Sequence, residues 1–237
     1  MLLARWESEP SAGVKYLHGK LFDQLQIDTD TKTFSKNSIL LLPNLLSQDE
    51  RRLLMHATER AATNHAGRGE STLRVPVRSL GDDAVSIWGK ILNQRVLPIV
   101  ESELPGECRN MFGEKWRAGA LQYHGDEPTI NRYTAGGSFA RHKDGMSMTV
   151  LCLLDTEGFE GGGTSFWIQD KVEEQPAVTL HAQEGVGVIF NGHLEHAGVA
   201  VVSGTRYALV ASFSGTGCSS THLLWYIVLR VCLIRHS

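Results

Sequence analysis

Between Trp116 and Phe213 the chain breaks into short runs rich in β-branched and aromatic residues. They read ALQYH, TINRY, SMTVLCLLD, GTSFWI, AVTLH, VGVIFN, GVAVV and RYALVASFS, parted by Gly, Asn, Asp and Pro. Runs this short and closely spaced leave no room for long helices. They predict a sandwich or barrel of jelly-roll type. No GxGxxG, P-loop or GxSxG motif interrupts them, and no internal repeat is present.

Helical texture is confined to the N-terminal part. NSILLLPNLLSQDERRLLMHATERAA predicts a short strand, a turn at Pro43-Asn44 and then a helix. Ser47 and Glu50 have capping-box spacing, and Leu53, Leu54 and Ala57 form an apolar stripe. HAGRGEST (65–72) reads as a Gly/Ser loop. A second helix is expected from about Asp82 to Glu103, capped by Asp82 or Asp83, with Ile87, Ile91 and Leu92 on one face, and kinked or split by Pro98. The fold class is therefore mainly β with N-terminal helices (α+β). Residues 1–115 would support a core over 116–214, followed by an apolar tail over 215–237.

With 237 residues, 42% of them hydrophobic, the chain can bury one sizeable β domain. Lys plus Arg number 23 against 26 acids, a net charge of −3, which gives no basic excess for a nucleic-acid partner. The four cysteines lie far apart with no CxxC, so neither a zinc site nor a disulfide framework is indicated. MLLARWESEPSAG contains no hydrophobic region of signal-peptide length, and a reducing, cytoplasmic location is the expectation. LLWYIVLRVCLI (223–234) is apolar, but its twelve residues fall short of the ~20 that a bilayer span requires. A docked strand or helix, an interfacial anchor and a tail foreign to the fold all remain open for it.

FARHKDGMSMTV (139–150) places His142 and Asp144 two apart at the mouth of a β run, so a strand would project both from one face. Alone, such a pair is equally a solvated strand end. GVIFNGHLEHAGVAVVSGTRYALV (187–210) adds His193, His196 and Arg206. In a double-stranded β-helix, adjacent strand ends bring such groups to one mouth. Two imidazoles and a carboxylate hold one face of a metal and leave three positions open, an arrangement suited to non-haem Fe(II). The open positions suit a bidentate 2-oxo acid and dioxygen, and a buried arginine fits the acid's far carboxylate. His193 is three residues from His196 and in an extended segment faces the other way. We place it on the surface with His124 and His181.

The elements INRYTAGGSFARHKD, GFEGGGTSF, EGVGVIFNGHLEHAG and VVSGTRYALVASF, in this order from about Leu121 to Ser214, resemble the Fe(II)/2-oxoglutarate dioxygenases. The likeness is to their prolyl 4-hydroxylase and lysyl hydroxylase branch, and SILLLPNLLSQDERRLL resembles the strand and helix that precede the core there. The resemblance implies a double-stranded β-helix (jelly roll) core, with His142, Asp144 and His196 as iron ligands. It implies Arg206 for the 2-oxoglutarate C5 carboxylate, and Tyr133 and Thr149 as further cofactor-binding residues. Glycines 161–163 with Thr164 resemble the turn that this branch places opposite the site. Each has a plainer reading: strand-end charge for Arg206, core filler for Tyr133, strand former for Thr149, loose loop for the glycines. Trp167 would line a substrate groove or cap the core. Leu153 stands where some prolyl hydroxylases have a tyrosine, and Val210 where a small hydroxyl residue is common.

The implied cofactors are Fe(II), 2-oxoglutarate and O2, with ascorbate as reductant of uncoupled turnovers. The implied partner is a peptide or protein, with peptidyl proline first, peptidyl lysine second and a small metabolite third. Two other classes stay open: a nucleic-acid demethylase, which Asn131-Arg132-Tyr133 faintly resembles, and an inactive metal-binding pseudo-enzyme.

Overall fold

The longest apolar runs have no polar alternation because they belong to a sheet covered on both faces. The computed structural model describes residues 3–5, 15–16, 39–63, 70–112, 121–167 and 174–215. The N-terminal part supplies strands β1 (Leu3–Arg5), β2 (Lys15–Tyr16) and β3 (Ile39–Leu42), helix α1 (Gln48–Thr63) and strand β4 (Thr72–Pro76). Helices α2 (Asp82–Lys90), α3 (Leu97–Glu103) and α4 (Pro105–Phe112) come next. The remaining strands are β5 (Leu121–Tyr123), β6 (Thr129–Tyr133), β7 (Phe139–His142), β8 (Met148–Leu153), β9 (Phe159–Gly161) and β10 (Thr164–Phe166). They continue with β11 (Val178–His181), β12 (Gly187–Phe190), β13 (His196–Gly198), β14 (Val201–Gly204) and β15 (Arg206–Gly215).

A large sheet runs β2-β3-β12-β8-β15-β6-β4, with β5 also on β15. A smaller one runs β1-β11-β10-β13-β7, and β9 and β14 form a separate ribbon. From β6 onward the chain shuttles between the two sheets: β6 large, β7 small, β8 large, β10 and β11 small, β12 large, β13 small, β15 large. This is the jelly-roll winding of the double-stranded β-helix expected from the sequence.

Period-two alternation sorts each run between two cores. Ile39, Leu41, Leu151, Val188 and Phe190 pack against Phe166, Val178 and Leu180 of the small sheet. Their neighbours Leu40, Leu42, Val150, Cys152 and Ile189 face the helices, among Leu54, Ile87, Ile91 and Val96. Each such Leu or Ile contributes about 1.5–3 kcal/mol over an exposed position.

Several details differ from the sequence expectation. Residues 72–76 form β4 on the open side of β6, where Pro76 at the strand end leaves the ladder intact. The Asp82 or Asp83 cap is not made: Gly81 is the N-cap, and both acids sit in the first turn, where the helix dipole favours them. The helix over 82–103 is split, as Pro98 predicts, but the break is a π-helical segment, Ile91–Val96, joining two α-helices, and the Leu97 N–H reaches back to Leu92 O. Pro98 withholds an N–H donor at this junction, and the wider turn absorbs the mismatch. Helix α4, begun by Pro105, was not anticipated. GVAVV divides between β13 and β14. The tail at 223–234 and part of the 65–72 loop lie outside the described residues. No helix among the described residues is long and apolar enough to cross a membrane. Cys108 and Cys152 are both buried.

The capping box forms as expected and carries a further bond. Ser47 N donates to Glu50 Oε2 at 2.9 Å and Glu50 N to Ser47 Oγ at 3.3 Å. Arg95 from the π segment grips both Glu50 oxygens at 2.8 and 2.7 Å and also donates to Leu45 O at 2.7 Å. The Arg95 bonds hold the Glu50 carboxyl at about 2, below its ordinary 4.5. A depressed carboxyl stabilises the fold fully above the unfolded value and loses that effect as pH falls toward the folded one. Glu50→Gln is therefore expected to lower unfolding stability by about 1–3 kcal/mol at neutral pH, and by less near pH 3. Urea unfolding at both pH values measures it; an equal loss at both would show that the charge is not responsible.

Candidate metal centre

His142 closes β7 and His196 opens β13, and the register of the small sheet sets them side by side. Their ring centroids are 4.3 Å apart. Each ring meets a main-chain carbonyl two residues upstream: His142 Nδ1 lies 2.7 Å from Ala140 O, and His196 Nδ1 2.9 Å from Leu194 O. A carbonyl only accepts, so Nδ1 carries the proton on both rings and Nε2 keeps its lone pair. Both Nε2 atoms face Asp144, at 3.2 Å from Oδ1 for His142 and 3.6 Å from Oδ2 for His196. The three ligand atoms lie within 4.8 Å of one another, with Asp144 only 6% exposed and His196 8%. This is the donor set of a 2-His-1-carboxylate facial site.

A cation would replace the imidazole protons that otherwise face Asp144. Burial alone would raise the Asp144 carboxyl. With a second proton on the imidazoles, at Nε2, the His142 hydrogen bond, the His196 charge and the Thr149 hydroxyl outweigh it and hold the group at about 2. The bond to Asp144 raises His142 against its own burial. Burial lowers His196, which favours the neutral imidazole. Thr149 on β8 donates to Asp144 Oδ2 at 2.5 Å and lies 3.2 Å from Ser212 Oγ. Its hydroxyl thus supports the carboxylate of the triad. Behind it, the Ser212 N–H donates to buried Glu127, whose other oxygen accepts from Arg74 at 2.7 Å.

Arg206 opens β15 directly opposite Tyr133, the last residue of β6. It is 4% exposed, and its guanidinium carbon lies 5.4 Å from the centre of the Tyr133 ring. Among the described residues it makes no ion pair, and its Nε is buried without a hydrogen-bond partner. Burial pushes its pKa down. An interior cation lacking a counter-ion is costly unless an anion joins it, so the residues fit a carboxylate ligand. The glycine run explains how the arginine is accommodated. Gly162 has φ +67°, and a Cβ there would stand 3.0 Å from Arg206 Cδ. Gly161 closes likewise on the Ala200 carbonyl and Gly163 on the His181 ring, so the run is packed rather than a loose loop.

Between the triad and Arg206 lies a pocket of about 580 Å³, mouth included. Thr149, Leu151, Tyr133, Ala208 and Val210 line it, whereas Leu153 is buried off its wall. Trp167 also lies off it: the tryptophan is buried with the Arg141 guanidinium 4.5 Å over its ring, so it caps the small sheet. His193 is exposed and outside the triad. His181 is half-buried beside Gly163 rather than on the surface, away from the triad. His124 is exposed as expected but stands on the pocket wall. Sequence reasoning missed Arg74, Glu127, Asn131 and Phe190, which line the pocket too. Alternation from Tyr133 would have found Asn131, while Arg74 had no signal without β4.

Removing a ligand should abolish binding of a divalent ion: His196→Ala and Asp144→Asn are expected to lose Mn(II) binding in titration calorimetry. Thr149→Val should weaken it about 10–100-fold by freeing the carboxylate. Affinity should fall as pH drops, because the imidazoles must be deprotonated to bind. Unchanged Mn(II) affinity in Asp144→Asn would exclude the site.

The chain matches no family model, and no curated protein matches it by sequence. Solved structures do match its fold. An oxidoreductase of the 2OG-Fe(II) oxygenase family from Burkholderia pseudomallei superposes with a TM-score of 0.51 at 13% identity, covering 84% of this chain and 92% of that one. A prolyl-4-hydroxylase from Pseudomonas putida gives 0.52 at 17% identity, over 74% of this chain and 91% of that one. HygX from Streptomyces hygroscopicus, with nickel and 2-oxoglutarate bound, gives 0.52 at 16% identity, over 75% and 83%. The chain therefore has the fold of the 2-oxoglutarate/Fe(II) oxygenases, with a His-x-Asp…His cluster at its mouth.

Proposed function

We propose that the chain is an Fe(II)- and 2-oxoglutarate-dependent dioxygenase that hydroxylates an unactivated C–H bond, with peptidyl proline as its substrate. The observation that carries the reading is a buried arginine, without a counter-ion among the described residues, in the same pocket as a 2-His-1-carboxylate set. When bound, Fe(II) with 2-oxoglutarate and O2 supplies the oxidation, in which one oxygen atom enters the substrate and the other enters succinate as CO2 is lost.

The protein's own residues hold and orient. His142, Asp144 and His196 would hold the Fe(II), and the pocket borders all three. Arg206 takes the distal carboxylate of 2-oxoglutarate with its planar fork of donors, and the Tyr133 hydroxyl adds a donor beside it. Leu151, Ala208 and Val210 cover the carbon chain and exclude water. No side chain is needed as a general base.

Peptidyl proline is supported by the motif order shared with the prolyl and lysyl hydroxylases, and by the likeness in fold to the Pseudomonas putida prolyl-4-hydroxylase. Succinate release from 2-oxoglutarate, after anaerobic Fe(II) loading and admission of oxygen, tests the reading. Wild type should turn over slowly without substrate and faster with proline-containing peptides, which gain one oxygen atom in mass. His142→Ala should abolish turnover. Arg206→Ala should raise KM for 2-oxoglutarate by about 100-fold and be partly overcome by excess. A wild-type protein that binds neither Fe(II) nor 2-oxoglutarate would refute the assignment.

A further inference from the structure

Strand β6 departs from the apolar rule of the inter-sheet layer. Its outward residues behave as the fold requires: Ile130 enters the helix-side core, and Arg132 pairs with Glu59 of α1 at 2.6 Å. Its inward residues are Thr129, Asn131 and Tyr133, all buried and all polar. They form a ladder with one direction. Thr129 Oγ1 donates to Asn131 Oδ1 at 2.9 Å, and Asn131 Nδ2 donates to Tyr133 Oη at 3.2 Å.

The direction has a chemical consequence. With its carbonyl oxygen occupied by Thr129, the Asn131 amide can offer Tyr133 only N–H. Tyr133 Oη accepts that bond, and among the described residues its own proton meets no acceptor. The same tyrosine sits opposite Arg206, its ring 5.4 Å from the guanidinium carbon. Burial raises the Tyr133 pKa, so the phenol keeps the proton it has to give.

We propose that Asn131 is a positioning residue that commits the Tyr133 hydroxyl to donate into the pocket, onto the carboxylate held by Arg206. It thereby makes the pocket selective for 2-oxo acids with a second, distal carboxylate. Thr129 fixes the orientation of the amide from behind. The inference rests on the 2-oxoglutarate reading and assigns to it a residue outside both the metal cluster and the Arg206–Tyr133 pair. Without the ladder, the tyrosine hydroxyl is free to turn its proton away from the anion, and a charge-assisted hydrogen bond is lost.

The test is calorimetric and needs no turnover. The whole chain, loaded with redox-inert Mn(II), is titrated with 2-oxoglutarate and with 2-oxobutyrate, which lacks the distal carboxylate. Asn131→Leu and Tyr133→Phe should each weaken 2-oxoglutarate by about 10-fold while leaving 2-oxobutyrate unchanged. The double variant should bind 2-oxoglutarate no more weakly than Tyr133→Phe alone, because Asn131 acts through the hydroxyl. Should Asn131→Leu fail to fold, Asn131→Asp serves. Its carboxylate accepts the phenol proton and cannot return one, so it should lose at least as much affinity. Additive losses in the double variant, equal loss for both acids, or an undiminished Asn131→Asp would overturn the assignment and leave the 2-oxoglutarate reading standing. A wild-type Mn(II) protein that binds no 2-oxoglutarate would overturn both.

Discussion

Everything in this molecule depends on the large sheet being buried on both faces. Helices cover one side and the small sheet covers the other, and period-two alternation deals each strand's residues between them. A shift of one residue along β8 or β12 would exchange the two sets and put helix-facing side chains into the inter-sheet layer. That layer is not uniform. Val188, Phe190 and Leu151 make it apolar along part of its length, and Thr149, Asn131, Tyr133 and Arg206 make it polar at the site. The pocket is the polar continuation of the same layer.

The site is assembled from both sheets. The two imidazoles stand on β7 and β13 of the small sheet, while the arginine and tyrosine stand on β15 and β6 of the large one. Phe190 bridges them: it belongs to the large sheet, and its ring meets His196 edge-on at 4.8 Å. Asp144 is placed just after β7 and braced by Thr149 from β8. The distance between the two histidines and the arginine is thus set by inter-sheet packing, which is dense and yields little.

The parts of this arrangement that were legible in the sequence share one property: they lie in β runs with their own hydrophobic pattern. His142, Asp144, His196 and Arg206 all mark the ends of such runs, and a strand end at a jelly-roll mouth has few places to go. The role of Thr149 was less legible, because the sequence says that it faces inward and not which neighbour it bonds. Strand β4 was hidden by its glycine-rich prelude and by Pro76, and Arg74 was hidden with it. The caps of α2 failed as a reading because glycine at 81 turns the chain with its own backbone and leaves both aspartates to the first turn. The π segment has no local sequence signature beyond the proline that follows it.

Arg206, uncompensated among the described residues, has a consequence for how such a chain changes over generations. A buried cation without a partner is a standing handicap to stability, and an apolar side chain of similar volume would relieve it. Gly162 compounds the handicap, since a Cβ there would stand 3.0 Å from Arg206 Cδ. A lineage with no use for the charge would gain by discarding it. Loss of the ligand would therefore be followed by erosion of the arginine well before the double-stranded β-helix itself decayed, and the residue serves as an internal record of whether the pocket is still in use.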